Sequence, residues 1–275
     1  MPYMTVNDLD VYYEIHGTGN PIVLIHGAWI DSEIWDEQVQ YFSKTNQVIV
    51  YDIRGHGRTG KGSTLDYSME LYAKDVYQLL QKLSIHRPIV CGLSMGALVA
   101  QAYASHYPDN LKALILIGAI ASSSLTLPDK IITHVLAPYW LSSTIVRIIG
   151  SKGLAWLATV YLWLMKSYEK VNHEQNIQAY FKYVVSKHSA REFNKILKAM
   201  YCFTLQDLHR IKVPTAIING AKELKIMFLH AHELHRRISD SKRFVISNAG
   251  HIPNVERPIE TNRTIEQFIQ SIKKT

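Results

Sequence analysis

Gly92-Leu-Ser-Met-Gly96 lies at the end of the apolar run Pro88–Leu93 and opens a segment of helical character, Met95–Ser105. A G-x-S-x-G string between a strand and a helix makes a sharp turn that exposes the serine. Glycines on both sides let the backbone turn without Cβ clashes, and the helix amides favour negative charge at the turn. An ordinary glycine-rich turn is the alternative, but the apolar strand before it favours a nucleophile at Ser94.

Short apolar strands alternate with helices on both sides of this turn. Strands are predicted at 11–15, 21–25, 47–52, 88–93, 111–117, 213–219 and 243–246, and helices at 33–42, 68–83, 95–105, 227–238 and 258–272. Such alternation is typical of the α/β class, with a mostly parallel central sheet and helices on both faces. Between 121 and 208 the periodicity is only helical. We therefore expect a core domain from 1–120 and 209–275, and a helical cap inserted at 121–208.

Composition and charge narrow the possible partners. The chain has 275 residues, a formal net charge of +7 and two cysteines, Cys91 and Cys202. Its basic residues are scattered among acids, so no nucleic-acid partner is expected. Two cysteines do not indicate a disulfide framework, and the N-terminus predicts no secretory signal, so the expected location is cytoplasmic. The most apolar run, 153–165, is shorter than the roughly 20 residues that span a bilayer, and membrane association is not expected. The oligomeric state stays open.

Three further segments carry a family resemblance. They are Ile25-His-Gly-Ala-Trp29, Asp52-Ile-Arg-Gly-His-Gly-Arg-Thr59, and Asn248-Ala-Gly-His251 with the residues that follow it. With the G-x-S-x-G string, they make the chain resemble the α/β-hydrolase fold superfamily over essentially its whole length. The resemblance implies the order serine, acid, histidine along the chain, and it puts a cap domain where the helical insertion lies.

The resemblance also implies which residues act as the general base and the acid that assist Ser94. A hydroxyl is a weak nucleophile and needs a base, for which His251 stands in the family's position. The family usually carries an aspartate three residues after a glycine that ends a strand, and here Glu223 follows Gly220 at that spacing. Leu224 replaces the proline that often comes next. Glu223 is the expected third member of the triad, while an acid from elsewhere, a displaced site or a weakened dyad stay open.

Backbone donors for an oxyanion are implied in the same way. The N–H of Met95, after the nucleophile, and the N–H of Ala28, after the His-Gly pair, are the expected donors. Trp29 either borders the substrate pocket or packs as a core tryptophan. His26 and His56 are expected to hold loops near the site.

The string His230-Ala-His-Glu-Leu-His235 is not the zinc motif H-E-x-x-H, and helical spacing spreads its rings over more than one face. We expect a solvated helix face there, and neither a metal nor a cofactor.

A serine nucleophile excludes the haloalkane dehalogenases and epoxide hydrolases of this fold, which use aspartate. The resemblance therefore predicts a serine hydrolase, carboxylesterase- or lactonase-like, that cleaves a carboxylic ester, lactone or thioester through an acyl-enzyme on Ser94. The apolar side chains of the insertion favour a small apolar substrate. Alternatives are a ligand sensor or signalling partner with little turnover, a C–C hydrolase or lyase on the same scaffold, and a peripheral membrane lipase.

Overall fold

A computed structural model describes residues 2–164 and 177–272 of the chain. Its strands are β1 (Tyr3–Val6), β2 (Leu9–His16), β3 (Asn20–Ile25), β4 (Asn46–Tyr51), β5 (Ile89–Leu93), β6 (Ala113–Ile117), β7 (Thr215–Gly220) and β8 (Ser241–Ile246). Its helices are α1 (Asp36–Phe42), α2 (Met69–Lys82), α3 (Met95–His106), α4 (Leu127–Ile131), α5 (Tyr139–Leu164), α6 (Ile177–Ser186), α7 (Ala190–Tyr201), α8 (Lys225–Arg237), α9 (Pro253–Glu256) and α10 (Pro258–Ile272).

All eight strands form one sheet in the order β1-β2-β4-β3-β5-β6-β7-β8. The pairs β1–β2 and β2–β4 are antiparallel, and every pairing from β4 to β8 is parallel. The predicted α/β class with a mostly parallel sheet is therefore confirmed. The first strand, β1, is not predicted by the sequence because its four residues bury only Val6.

Side-chain alternation divides the core between the two faces of the sheet. Along β3, Val23 and Ile25 join one apolar cluster, whereas Ile22 and Leu24 join the other. Helices α2, α3 and α8 contribute to the first cluster, and α1 and α10 to the second. Because successive strand residues point to opposite faces, a strand covered by helices on both sides is apolar throughout, as β5 and β6 are.

The start of α1 differs from the prediction. Residues Ser32–Trp35 form a 3₁₀ turn, and the helix proper begins at Asp36. The side chain of Asp31 accepts a hydrogen bond from the Glu33 N–H and so caps the 3₁₀ turn. Side-chain periodicity does not distinguish the two helix types over a single turn.

Between β6 and β7, the described residues are helical or irregular and contain no strand. Positions 165–176 of this insertion lie outside the described residues. Helix α4 runs into a π-helical turn, Ile132–Leu136, and α5 is interrupted at Gly150, whose φ is 61°. The insertion packs into both apolar clusters, for example through Phe193 and Ile196 of α7.

Two observations bear on the compositional expectations. Cys91 is buried and Cys202 exposed, and both are free thiols. Within residues 2–164 and 177–272, no helix is both long and apolar enough to cross a membrane.

Candidate active site

The predicted site residues follow different parallel strands. Ser94 comes directly after β5, Glu223 follows β7, and His251 follows β8. The loop that contains Ala28 follows β3. The carboxyl ends of parallel strands lie at the same edge of a sheet, so residues distant in sequence meet there.

The turn at Ser94 has the expected strained backbone. Ser94 has φ 53° and ψ −117°, and α3 begins at the next residue. A Cβ on Gly92 would lie 2.2 Å from the carbonyl oxygen of Gly96, and a Cβ on Gly96 would lie 2.1 Å from the carbonyl oxygen of Ile25. Side chains do not fit at either position, which explains why the serine is flanked by glycines.

Three of the predicted residues form a hydrogen-bonded chain. His251 Nε2 lies 2.9 Å from Ser94 Oγ, and His251 Nδ1 lies 2.6 Å from Glu223 Oε1. The Glu223 side chain is fully buried, while that of His251 is 21% exposed. The longer glutamate side chain therefore reaches the His251 ring, which in the family that the sequence resembles is usually contacted by an aspartate.

The carboxylate determines which ring nitrogen carries the proton. A carboxylate oxygen only accepts hydrogen bonds, so His251 Nδ1 must donate to Glu223. In the neutral ring, Nε2 is then bare and can accept from the Ser94 hydroxyl. This is the tautomer that a general base for Ser94 requires.

Two residues that the sequence analysis misses hold this chain in place. Asn219 Nδ2 donates to Glu223 Oε2 over 2.5 Å, which occupies the second carboxylate oxygen. Glu256 accepts from the backbone N–H groups of Gly250 and Ile252, on either side of His251, at 2.6 and 3.2 Å. Burial raises the pKa of Glu256. A polar residue inside the apolar end of β7 was the available signal for Asn219, and an acid just after the histidine loop was the signal for Glu256.

The two predicted oxyanion donors border the serine. Met95 is the first residue of α3, so its N–H has no acceptor inside the helix. A Cβ built on Gly27 would lie 3.5 Å from Ser94 Cβ, which brings the loop carrying Ala28 against the nucleophile. Met95 and the loop of Ala28 thus both border Ser94, and Ala28 lines the same cavity as the nucleophile.

His26 supports that loop from below. Its Nδ1 donates to the carbonyl of Gly27 over 2.7 Å, and its Nε2 accepts from the N–H of Ile53 over 2.9 Å. Both bonds need the neutral ring, and burial lowers the pKa of His26. His56 contacts His26 edge-to-face at 5.1 Å, and His188 of the insertion contacts His56 at 5.3 Å. Three buried rings therefore connect the β3 loop to the insertion.

A cavity of about 390 Å³ opens above Ser94. Its described lining residues include no Lys, Arg, Asp or Glu, and the insertion contributes most of the large apolar ones. These are Leu154, Leu157, Phe181, Val185, Phe193 and Met200. A cavity of this volume is within the usual range for small-molecule sites, and its lining favours an uncharged ligand group.

Trp29 combines the two roles considered for it, since it borders the cavity and also packs against another aromatic ring. It lines the cavity, and its ring stacks on Phe193 of α7 with centroids 4.2 Å apart and planes 4° apart. Its backbone has φ 61°, which is uncommon for a bulky residue. The indole therefore forms part of the contact between the β3 loop and the insertion.

The expectation of a solvated face for the string 230–235 is wrong at His230. This ring is buried, its Nδ1 accepts from the N–H of Ala121 over 3.2 Å, and its Nε2 lies 3.1 Å from Asp129 Oδ1. Asp129 also forms a capping box with Thr126 at the start of α4. His230 is buried because it joins α8 to the insertion, a contact that helical periodicity does not reveal. No group of three or more metal-binding side chains occurs in the part of the chain that the structure describes.

Comparison with known proteins gives one family. The family model that matches residues 20–258 is described as the alpha/beta hydrolase fold. The 3-oxoadipate enol-lactonase 2 of Acinetobacter baylyi is 25% identical over 97% of this chain and 96% of its own length. The monoacylglycerol lipase of Bos taurus is 26% identical over 99% of this chain and 83% of its own length.

Among solved structures, a thermophilic esterase from Thermogutta terrifontis superposes with a TM-score of 0.82. It is 23% identical, with 99% of each chain covered. At this identity the likeness concerns the fold alone.

Proposed function

Because the chain belongs to the alpha/beta hydrolase fold family and is an enzyme of the hydrolase type, we propose that it cleaves carboxylic esters, lactones or thioesters of small apolar acids through an acyl-enzyme on Ser94. The observation that carries the proposal is the hydrogen-bonded chain from Ser94 through His251 to Glu223. It ends at a carboxylate with no access to water, under a cavity without charged lining among the described residues.

The proposed reaction runs in two halves. The Ser94 hydroxyl gives its proton to His251 Nε2 while its oxygen attacks the carbonyl carbon of the substrate. The N–H groups of Met95 and Ala28 stabilise the oxyanion that forms. His251 then returns the proton to the leaving oxygen or sulfur, and the acyl group stays on Ser94. A water molecule attacks the acyl-enzyme, His251 takes its proton, and the released acid leaves Ser94 with its hydroxyl restored.

Glu223 acts on His251 rather than on the substrate. Its negative charge stabilises the imidazolium that forms when Ser94 loses its proton, and its hydrogen bond keeps the ring oriented. Asn219 and Glu256 are positioning residues: the first fixes the carboxylate, and the second holds the backbone around His251.

The cavity supports the substrate class. An acyl group that enters it meets Trp29, Phe193 and Met200, and no charged side chain of the described lining. A carboxylate on the substrate would lose its hydration there without a Lys or Arg to pair with. Burial of such an unpaired charge costs on the order of several kcal/mol. We therefore infer a preference for uncharged acyl groups.

The decisive experiment is hydrolysis of p-nitrophenyl esters from acetate to decanoate by the wild type, Ser94→Ala and His251→Gln. We expect turnover by the wild type and loss of at least about 10³-fold in both variants. The acyl-enzyme itself is tested by intact mass spectrometry of protein quenched early in the reaction, where Ser94→Ala should carry no acyl adduct. Replacement of Ser84, an exposed serine that follows α2 and does not line the cavity, by alanine is the matched control.

Inertness of the wild type on every ester of the series, with no acyl adduct on Ser94, would overturn the proposal. A stable complex with a small apolar ligand, without turnover, would then favour the sensor alternative. Cleavage of a carbon–carbon bond in a substrate that has no ester bond would favour the C–C hydrolase or lyase.

A further inference from the structure

The insertion exposes an unusual amount of apolar surface. More than half of the exposed large apolar side chains among the described residues lie within 127–157. The most exposed of them range from 63% for Trp156 to 77% for Ile148. We call this the cap face and define it by Leu127, Val135, Leu136, Trp140, Ile148 and Trp156.

The exposed residues follow helical spacing. Leu127, Ile131 and Val135 recur every four residues through α4 and the π-helical turn, and Trp140 and Ile148 are eight residues apart on α5. Residues so spaced lie on one side of a helix. Both segments therefore present an apolar stripe outward, and α5 also buries apolar residues such as Val146 within the protein.

Charge identifies what the cap face can contact. From 130 to 164 the sequence contains Lys130, Arg147 and Lys152 and no aspartate or glutamate. All three cations are exposed. The acid just before this segment, Asp129, is buried against His230 and Thr126. Among the described residues of this segment, the exposed apolar side chains include two tryptophans and are interspersed with cations and no exposed acid. This is the composition of segments that lie in the interface of an anionic bilayer.

We propose that the cap face docks on the surface of a membrane that contains anionic lipid. The tryptophan and aliphatic side chains enter the headgroup region, and the three cations contact lipid phosphates. Docking is interfacial, in keeping with the lack of a membrane-crossing helix among the described residues. Membrane association was not expected from the sequence, where a peripheral membrane lipase stood only as an alternative to a cap that lines an apolar pocket.

The face is also continuous with the cavity above Ser94. Leu157 lies next to Trp156, is 40% exposed and lines that cavity. A docked protein would therefore hold the mouth of the cavity close to the lipid. Docking itself does not depend on the proposed hydrolysis.

The test is flotation of the full chain with vesicles of phosphatidylcholine alone and of phosphatidylcholine with a third phosphatidylglycerol. We expect recovery with the anionic vesicles and at least tenfold less with the neutral ones. The variant Trp140→Ser/Ile148→Ser/Trp156→Ser should lose binding at least tenfold. Its matched control, Leu65→Ser/Ile259→Ser, removes exposed apolar side chains of the core domain and should bind as the wild type does.

The charge contribution is tested separately. Lys130→Glu/Arg147→Glu/Lys152→Glu should abolish binding to anionic vesicles, whereas the same change of charge at Lys44, Lys74 and Lys242, all exposed and outside the insertion, should reduce it less than threefold. Ser94→Ala should bind like the wild type, which separates docking from hydrolysis of lipid.

Absence of flotation at every composition would overturn the proposal, as would equal losses in the cap-face and control variants. Sedimentation velocity without lipid tests whether a second copy of the chain occupies the cap face. A wild-type dimer that the triple serine variant converts to monomer would assign the face to a second copy of the chain instead.

Discussion

Replacing Glu223 by glutamine is the sharpest test of the proposed triad. Both oxygens of the buried carboxylate accept hydrogen bonds, one from His251 Nδ1 and one from Asn219 Nδ2. Glutamine supplies one acceptor and one donor in the same volume. If its NH₂ group faces His251, Nδ1 must accept, and the ring proton moves to Nε2, which then cannot take the proton of Ser94. If the NH₂ group faces Asn219, two donors oppose each other in a buried site.

The magnitude follows from the wrong tautomer and the lost charge. In a serine protease triad, the equivalent change from acid to amide lowers kcat by about 10⁴-fold, which corresponds to about 5.4 kcal/mol of transition-state stabilisation. We expect Glu223→Gln to lower kcat by about 10³–10⁴-fold, because the Glu223 side chain is fully buried, as the aspartate of the protease triad is. KM should change little because Glu223 does not line the cavity.

The assay is steady-state hydrolysis of p-nitrophenyl butyrate, with thermal unfolding of each variant as a check on folding. Glu37→Gln, an exposed glutamate of α1, is the matched control and should keep wild-type kcat. Adding Asn219→Asp to Glu223→Gln offers an acceptor to the amide NH₂ and turns its carbonyl toward His251. We expect that double variant to recover kcat at least about tenfold over Glu223→Gln alone. If Glu223→Gln keeps more than a tenth of wild-type kcat while Ser94→Ala is inactive, Glu223 is not the triad acid.

Three further predictions concern the turn at Ser94, the cavity and the buried His188. Gly96→Ala should lower the free energy of unfolding in urea by about 3 kcal/mol or more, because its Cβ would meet the Ile25 carbonyl. The control Gly60→Ala, with open space around the added Cβ, should change the free energy of unfolding by less than about 0.5 kcal/mol. Equal effects of the two substitutions would contradict the steric account of the turn at Ser94. Leu157→Trp should lower kcat/KM for decanoate at least tenfold relative to acetate, and an unchanged chain-length profile would separate the cavity from the acyl site. Burial lowers the pKa of His188, so the unfolded chain takes up a proton below about pH 6.5 that the folded state refuses, and stability is full above that pH and falls below it. Between pH 7.5 and 5.5, His188→Gln should therefore lose less free energy of unfolding than the wild type, by up to about 1.4 kcal/mol over the whole interval, and identical losses would refute this.

Local constraints explain what could be predicted from the sequence. The turn at Ser94 excludes side chains at Gly92, through the Gly96 carbonyl inside the turn, and at Gly96, through the Ile25 carbonyl at the end of β3. The two glycines that these constraints require are visible in the sequence itself. Strands buried on both faces must be apolar throughout, and amphipathic helices must repeat with their turn, so the order of elements and the helical insertion are also visible. The position of His251 after the last strand followed from the same order.

Contacts between distant residues were decided only by the tertiary structure. Whether Glu223 reaches His251 depends on how β7 and β8 pair and on Asn219, and no local pattern encodes those distances. Helical periodicity likewise could not show that His230 is buried against Asp129, a residue about a hundred positions earlier in the chain, or that Trp29 stacks on Phe193. The apolar residues of the insertion show the same limit. The sequence determines that they are apolar and helical, but which of them face the cavity and which face solvent depends on how the helices pack over the sheet, because burial is a property of neighbours rather than of the residue.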